Sequence, residues 1–514
     1  LSSATVYLFS PTIAGQWVWH WFFSILVRKV EQTMTGKVQF SSSLALFLAT
    51  IGMAIGAGNI WRFPRLIGEF GGAFLIPWLL FLFLWSLPIA IFELGLGKSS
   101  GKGVIATFKE KIGRRFVWLG IFISACTAAI MFYYSVVTGW ALWFAGKAII
   151  GGLPTSDLSI HWQEFTAGFE PLAGMVLTVI AVFFVLRQSL QGGLERINKI
   201  FIPSLFVLLF GLAIYANLLP GAEHGRSHLF QVDWQKLAQV RIWLEGLSQS
   251  AWSTGAGWGL FLTYGAYMRA EDGVVRNAIF AALGNNFASL VAALAIVPAI
   301  YALSGGAADE ILARGNQGLA FVAIPALLNQ LPGGMFSIFF FFLALFLAAF
   351  SSLLAMAEMS VRNIVDIGLS RTRAVAILLI AMLLLGLPAA LSLDFFDNQD
   401  WVWGLGLLVS GLFYYLAGIA WRRQHSFAGI AAGLNRINQG GIQLNSLYDF
   451  IWRWLLPLEF MAMLIWWLGI HFWSDPASLF ALFDKYSVGT VIWQWFLLLL
   501  VARLGQFFYL RKEN

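Results

Sequence analysis

The chain has 514 residues, 59% hydrophobic and 11% charged, with a formal charge of +7 and a mean hydropathy of +0.78. Soluble domains carry about 25% charged residues, so water is not the main solvent here, and intrinsic disorder and disulfide-stapled secreted folds are excluded. A single cysteine, Cys126, allows neither an intramolecular disulfide nor a multi-cysteine metal site.

In chain order, residues 1–36 come first and fit poorly. Their apolar run 17–27 is short for a span, and no small-residue cleavage site follows it. Met34 lies just ahead of the first full span, so translation is expected to begin there, with residues 1–33 a start-site artefact. Stretches of about 20 mostly apolar residues, enough to cross a bilayer, then lie near 41–65, 72–97, 116–150, 172–187, 199–220 and 241–268. A second set lies near 276–304, 335–366, 374–393, 400–421, 452–473 and 489–510. These twelve runs are continuous rather than alternating with period two, which predicts an all-α membrane protein and disfavours a β-barrel.

An even number of spans puts both termini on one side. The loops on that side hold Lys98, Lys102, Lys109, Lys111, Arg114, Arg115, Arg371, Arg373, Arg422 and Arg423, among others, while the opposite loops are sparse in basic residues. The positive-inside bias places both ends in the cytoplasm. The net charge is therefore topological and does not point to nucleic acid. The chain contains no Asn-x-Ser/Thr sequon, which favours a bacterial inner membrane.

The first span contains Gly52, Gly56 and Gly58, followed by Asn59, Arg62 and Pro64, and the sixth contains Gly255, Gly257 and Gly259. A single small-residue pair in a membrane helix ordinarily means close helix packing. Dense glycine in the first helix of each five-helix half, beside hydroxyl and amide side chains, instead predicts two broken helices and an inverted-repeat transporter. Unwound backbone frees carbonyls for a cation, and a new half-helix start turns N–H groups toward an anion.

The run Gly52 to Pro64, continued by Glu69 to Pro77, resembles the signature of the neurotransmitter:sodium symporters. Tyr133-Tyr134, Glu195-Arg196 with Pro203, Thr263 to Tyr267, Asn286, Ser351-Ser352 and Asp400 extend the likeness over about 37–510. The resemblance implies repeats over 37–220 and 241–422, two extra helices within 423–514, and a sodium-coupled symporter. It implies one sodium site at Ala54, Asn59, Ser253 and Asn286, completed by the substrate carboxylate. A second site is implied at the carbonyls of Gly52, Ile55 and Ala348 with the hydroxyls of Ser351 and Ser352. Taken alone, Asn59 or Asn286 would more ordinarily make an interhelical hydrogen bond.

Amine-transporting members of the family place an aspartate where this chain has Gly56. The resemblance therefore implies an amino-acid substrate, with its carboxylate at Gly58 N–H, the Tyr134 hydroxyl and the first sodium. The implied side-chain pocket is Met53, Ala57, Ile130, Trp252, Gly255, Trp258, Ser352 and Met356. No acid or base lines it, so a neutral, largely apolar amino acid is expected. Arg62 and Asp400 are the implied external gate, and Lys37, Tyr267 and Asp366 the cytoplasmic one, with Phe40 where relatives carry Trp. Chloride-independent bacterial members tend to place a carboxylate at the position of Ser289, so Ser289 with Gln249 and Ser253 argues for chloride. The family's second-span tyrosine is Trp78 here, which counts against it, although the indole N–H can still donate.

Other classes fit less well. The six histidines lie in loops, at span ends or in the N-terminal stretch, without HExxH spacing, so a membrane enzyme is not indicated. Buried charges are too few for a channel. The nearest alternatives are a same-fold symporter for another small solute, or a non-transporting sensor derived from one.

Overall fold

Without water to serve backbone polar groups, long apolar runs form helices, whose hydrogen bonds close within the segment. In the computed structural model, which describes residues 38–153, 158–438 and 441–511, the chain is all-helical, with no strand among the described residues. The expected extension 1–36, with Met34, and the gate residue Lys37 lie outside the described residues. Nine helical stretches among the described residues are long and apolar enough to cross a membrane. A tenth forms if Leu158–Ala167 and Glu170–Leu186, bent by 70°, count as one span. One of the nine, Ala57–Ser100, joins the second half of the expected first span to the whole of the second.

The two expected spans that fall short are the first and the sixth, and both are broken. The first runs Ser43–Ala54, stops, and resumes as Ala57–Ile60 and Arg62–Phe70. The sixth runs Val240–Thr254 and resumes as Leu260–Gly265. Between its halves Gly255, Gly257 and Gly259 take φ of +73°, +89° and +80°, a region that only glycine enters at little cost. The tenth span, Leu393–Gln424, begins well before the expected 400. Ser392 caps it, its hydroxyl accepting from Phe395 N at 3.2 Å, so the polar run Asp394–Asp400 is helical.

Burial sorts the helices into layers. The eighth span, Gly334–Asp366, has 78% of its most apolar stretch buried and packs along the third, Val117–Ile149. The corresponding share is 22% for Ser446–Ser474 and 28% for Val488–Arg511, whose exposed leucines and phenylalanines suit a lipid-facing rim. The broken helices lie against the buried third and eighth spans.

Candidate functional site

The break in the first span frees backbone carbonyls. In an unbroken helix the N–H groups of residues 56–59 would bond the carbonyls of residues 52–55. Here Gly56 N donates to Asn59 Oδ1 at 2.8 Å, Ala57 N to the Tyr134 hydroxyl at 2.8 Å, and Asn59 N to the Gly56 carbonyl at 3.1 Å. The carbonyls of Gly52, Met53 and Ile55 therefore lose their helical donors. The Ser352 hydroxyl donates to Met53 O at 3.0 Å and to Ile55 O at 2.9 Å. One turn away, Ser351 Oγ lies 3.0 Å from Ala348 O. Two hydroxyls and several carbonyls, all neutral oxygens, thus meet where the first span is open.

A second polar cluster lies on the other side of the break. Asn59 Nδ2 donates to Ser253 Oγ at 3.1 Å, Asn285 Oδ1 at 2.8 Å and Ser289 Oγ at 2.7 Å. Asn285 Nδ2 reaches Ser253 Oγ at 2.8 Å, and with its amide turned over the nitrogen would reach Ala54 O at 3.1 Å. Asn286, the expected member, meets this cluster through Asn285 Nδ2 at 3.2 Å, and its own Nδ2 is buried without a partner among the described residues. Asn285, rather than the expected Asn286, is the asparagine that contacts both Asn59 and Ser253. Successive residues on a helix point about 100° apart, so only one of two adjacent asparagines can face the first and sixth spans.

Beside the cluster, Trp78 Nε1 and both amide atoms of Gln249 are buried with no partner among the described residues. Trp78 is held by Phe63, with ring centroids 4.3 Å apart. Trp78 and Gln249 both carry N–H donors left without an acceptor among the described residues, a cost that a buried polar group ordinarily avoids.

A cavity of about 310 Å³ opens from these clusters. Met53, Gly56, Gly58, Trp252, Ser253, Gly255, Trp258, Ser352 and Met356 line its inner part, with Tyr134. Trp252 and Trp258 meet edge to face at 5.2 Å. Ile130 and Ala57, also expected there, are fully buried and do not line it. A Cβ at Gly56 would lie 2.8 Å from the Tyr134 hydroxyl and 3.2 Å from Ser352 Oγ, so no side chain fits at position 56 without displacing them. The break in the sixth span is held by residues that sequence reasoning missed. Buried Glu93 accepts from Gly257 N at 2.5 Å and Leu262 N at 3.3 Å, and the Thr127 hydroxyl donates to Trp258 O at 2.8 Å.

At its outer end the cavity is lined by Arg62, Arg65, Glu245 and Asp400. Arg62 was expected to pair with Asp400. In the structure it bonds Glu245 at 3.2 Å and Ser248 at 2.8 Å, while Asp400 accepts from Tyr133 at 3.1 Å. Glu245 lies on the sixth span and converges with Arg62 once both broken helices turn toward the cavity. Arg65 reaches Asn316 at 3.0 Å, and Gln317 reaches Asp397 at 2.9 Å.

The opposite end is closed by a denser network. The Tyr267 hydroxyl donates to fully buried Glu358 at 2.7 Å, and Arg371 grips the same carboxylate at 2.9 and 2.7 Å. Asp366 accepts from Gly103 N at 2.6 Å and pairs with Arg362 at 3.1 Å, and the Arg362 guanidinium sits 5.5 Å from the Tyr267 ring centre. Phe40 N bonds Tyr267 O at 3.0 Å, and the Phe40 ring lies edge-on to Tyr264 and Tyr267. Ser43 donates to Asp272 at 2.6 Å. Burial would raise the Asp272 carboxyl, but hydrogen bonds from Arg269 and Ser43 outweigh it and hold the group below the usual carboxylate range.

Comparison with known proteins follows the same lines. The family model described as the sodium:neurotransmitter symporter family matches residues 37–171 and 166–468. A sodium-dependent transporter of Methanocaldococcus jannaschii is 33% identical over 353 residues, covering 65% of this chain and 71% of its own. The sodium-dependent serotonin transporter of Drosophila melanogaster is 25% identical, covering 86% of this chain and 77% of its own. Among solved structures, MhsT in complex with L-phenylalanine superposes with a TM-score of 0.74 at 29% identity, covering 84% of this chain and 99% of that one. The chain is a multi-pass membrane protein, and it belongs to the sodium:neurotransmitter symporter family.

Proposed function

We propose that the chain imports a neutral, largely apolar amino acid with sodium across the plasma membrane, by alternating access, with both termini in the cytoplasm. The observation that carries the substrate class is the absence of space and charge at Gly56. A Cβ there already crowds the Tyr134 hydroxyl, so the carboxylate at this depth has to come with the substrate. Gly58, with nothing within 4 Å of its Cβ position, leaves room for that carboxylate near its N–H. Arg62, Arg65, Glu245 and Asp400 stay at the outer end, so the inner wall offers no partner to a charged side chain. MhsT, the structural neighbour, was solved with L-phenylalanine bound.

Two sodium ions travel as co-substrates in this reading. The first uses Ala54, Asn59, Ser253 and Asn285, and the second the carbonyls of Gly52, Ile55 and Ala348 with Ser351 and Ser352. Hard, neutral oxygens suit a small monovalent cation. Chloride beside the first sodium is supported by the unpartnered Trp78 and Gln249 groups and by Ser289, which brings no negative charge. The Arg62 end faces outward and the Tyr267–Glu358 end faces the cytoplasm, in keeping with the basic loops.

The test is uptake of a panel of labelled amino acids into proteoliposomes under an inward sodium gradient. Neutral apolar amino acids are expected to accumulate, and potassium in place of sodium to abolish uptake. Carriage of lysine or glutamate with sodium-independent neutral uptake would overturn the reading. Exchanging chloride for gluconate is expected to slow uptake, and no change across pH would remove chloride alone.

A further inference from the structure

One buried polar group is absorbed neither by the fold nor by the ion sites named above. Asn198 lies near the start of the fifth span, Arg196–Asn217, and is 0% exposed. Neither its Oδ1 nor its Nδ2 has a hydrogen-bond partner among the described residues. A buried amide without partners is costly, and a position that only filled space would be better served by an apolar residue. Its neighbours on the same helix face are settled. Glu195 is held by Ser41 and Lys199, and Ile202 is packed in the core.

The amide is aimed at the first span. A Cβ built on Gly52 would lie 2.5 Å from Asn198 Oδ1 and 2.8 Å from Ile202 Cδ1. Only a glycine at 52 lets the amide press against the backbone there. Gly52 is also the first residue whose carbonyl loses its helical donor at the break, because Gly56 N donates to Asn59 instead. An unpartnered carboxamide therefore lies against the backbone of the residue whose carbonyl loses its helical donor. Such oxygens are the donors a dehydrated alkali cation accepts.

We propose that Asn198 is a further sodium-handling residue, its carboxamide oxygen serving the ion at Gly52, directly or through one water, on the cytoplasmic side of the second sodium site. The inference rests on the proposed sodium coupling and adds a ligand to it. The fifth span begins at the cytoplasmic end, so Asn198 meets the ion on the side by which it leaves. Asn198 binds the cation without adding charge, so release toward the cytoplasm does not have to separate opposite charges.

The experiment compares wild type, Asn198→Leu, Asn198→Ala and Asn198→Asp as purified full chains. It measures the sodium dependence of amino-acid binding and the sodium-induced rise in melting temperature without substrate. Asn198→Leu and Asn198→Ala are expected to raise the half-saturating sodium concentration about tenfold. Amino-acid affinity at saturating sodium should stay within about twofold of wild type, since no substrate contact is lost. Asn198→Asp restores an oxygen donor and is expected to bring the sodium requirement back to or below wild type. Unchanged sodium half-saturation in Asn198→Ala, whatever its melting temperature, would reduce Asn198 to a packing residue and overturn the proposal. If Asn198→Leu does not fold, the alanine and aspartate variants decide. A wild type indifferent to sodium would instead defeat the proposed coupling itself.

Discussion

A Cβ at Gly56 would stand 2.8 Å from the Tyr134 hydroxyl, which itself accepts the Ala57 amide. Gly56→Asp would push that hydroxyl away and bury a carboxylate where a substrate carboxylate is proposed. The uncompensated charge costs about 3–5 kcal/mol, so neutral amino-acid uptake is expected to fall at least about a hundredfold. Gly56→Ala, which adds the clash without the charge, should lose less. Uptake kinetics of the two variants check this, and equal losses would assign the effect to space alone. At this scale the family motif made Gly56, Asn59, Tyr134 and Ser352 legible, because they sit in or face one contiguous run. The choice between Asn285 and Asn286 was not legible. Rotation of the seventh span about its axis decides it, and packing against the first and sixth spans sets that rotation.

At the scale of the helix, glycine density was enough to locate both breaks, though only in the sixth span do three glycines take positive φ, where other residues are costly, while Gly56 in the first is extended at φ −126°. What holds the breaks open was hidden. Glu93 lies 164 positions before Gly257 in sequence, and the only signal it offered was a carboxylate inside an apolar span. An ionisable group inside an apolar span is a functional candidate by default, and Glu93 meets that description. Glu93→Ala would orphan the Gly257 and Leu262 amides, at about 1–3 kcal/mol each. The expected result is a lower melting temperature together with lost amide protection across 255–262 in hydrogen exchange. Glu93→Gln keeps an acceptor and should retain most of both. Protection unchanged in Glu93→Ala would mean that Thr127 and the glycine backbone suffice to hold the break.

Across the whole molecule the two ends differ in kind. At the Arg62 end the cavity extends past Tyr134 to Arg62, Glu245 and Asp400, and Arg62 and Asp400 each hold a different neighbour. At the Tyr267 end Phe40, Tyr267, Glu358 and Arg371 are closed on one another. This is the arrangement of a carrier open to one side and sealed on the other, and it explains why the expected Arg62–Asp400 pair is not made. The seal rests on fully buried Glu358, so removing its charge should release the Tyr267 end. Glu358→Ala leaves Arg371 facing a pocket without its counter-ion, at about 3 kcal/mol, equivalent to a shift of about two decades between the two states. The measurement is hydrogen exchange over residues 40–54 in saturating sodium, where protection is expected to collapse while the Arg62 end stays unchanged. The double variant Glu358→Leu/Arg371→Leu removes both charges and should recover much of the protection, because an apolar pair avoids the desolvation that either charge suffers alone. Full protection in Glu358→Ala would instead place the seal in the Phe40–Tyr264–Tyr267 aromatic contacts, and the carrier would then close by packing rather than by charge.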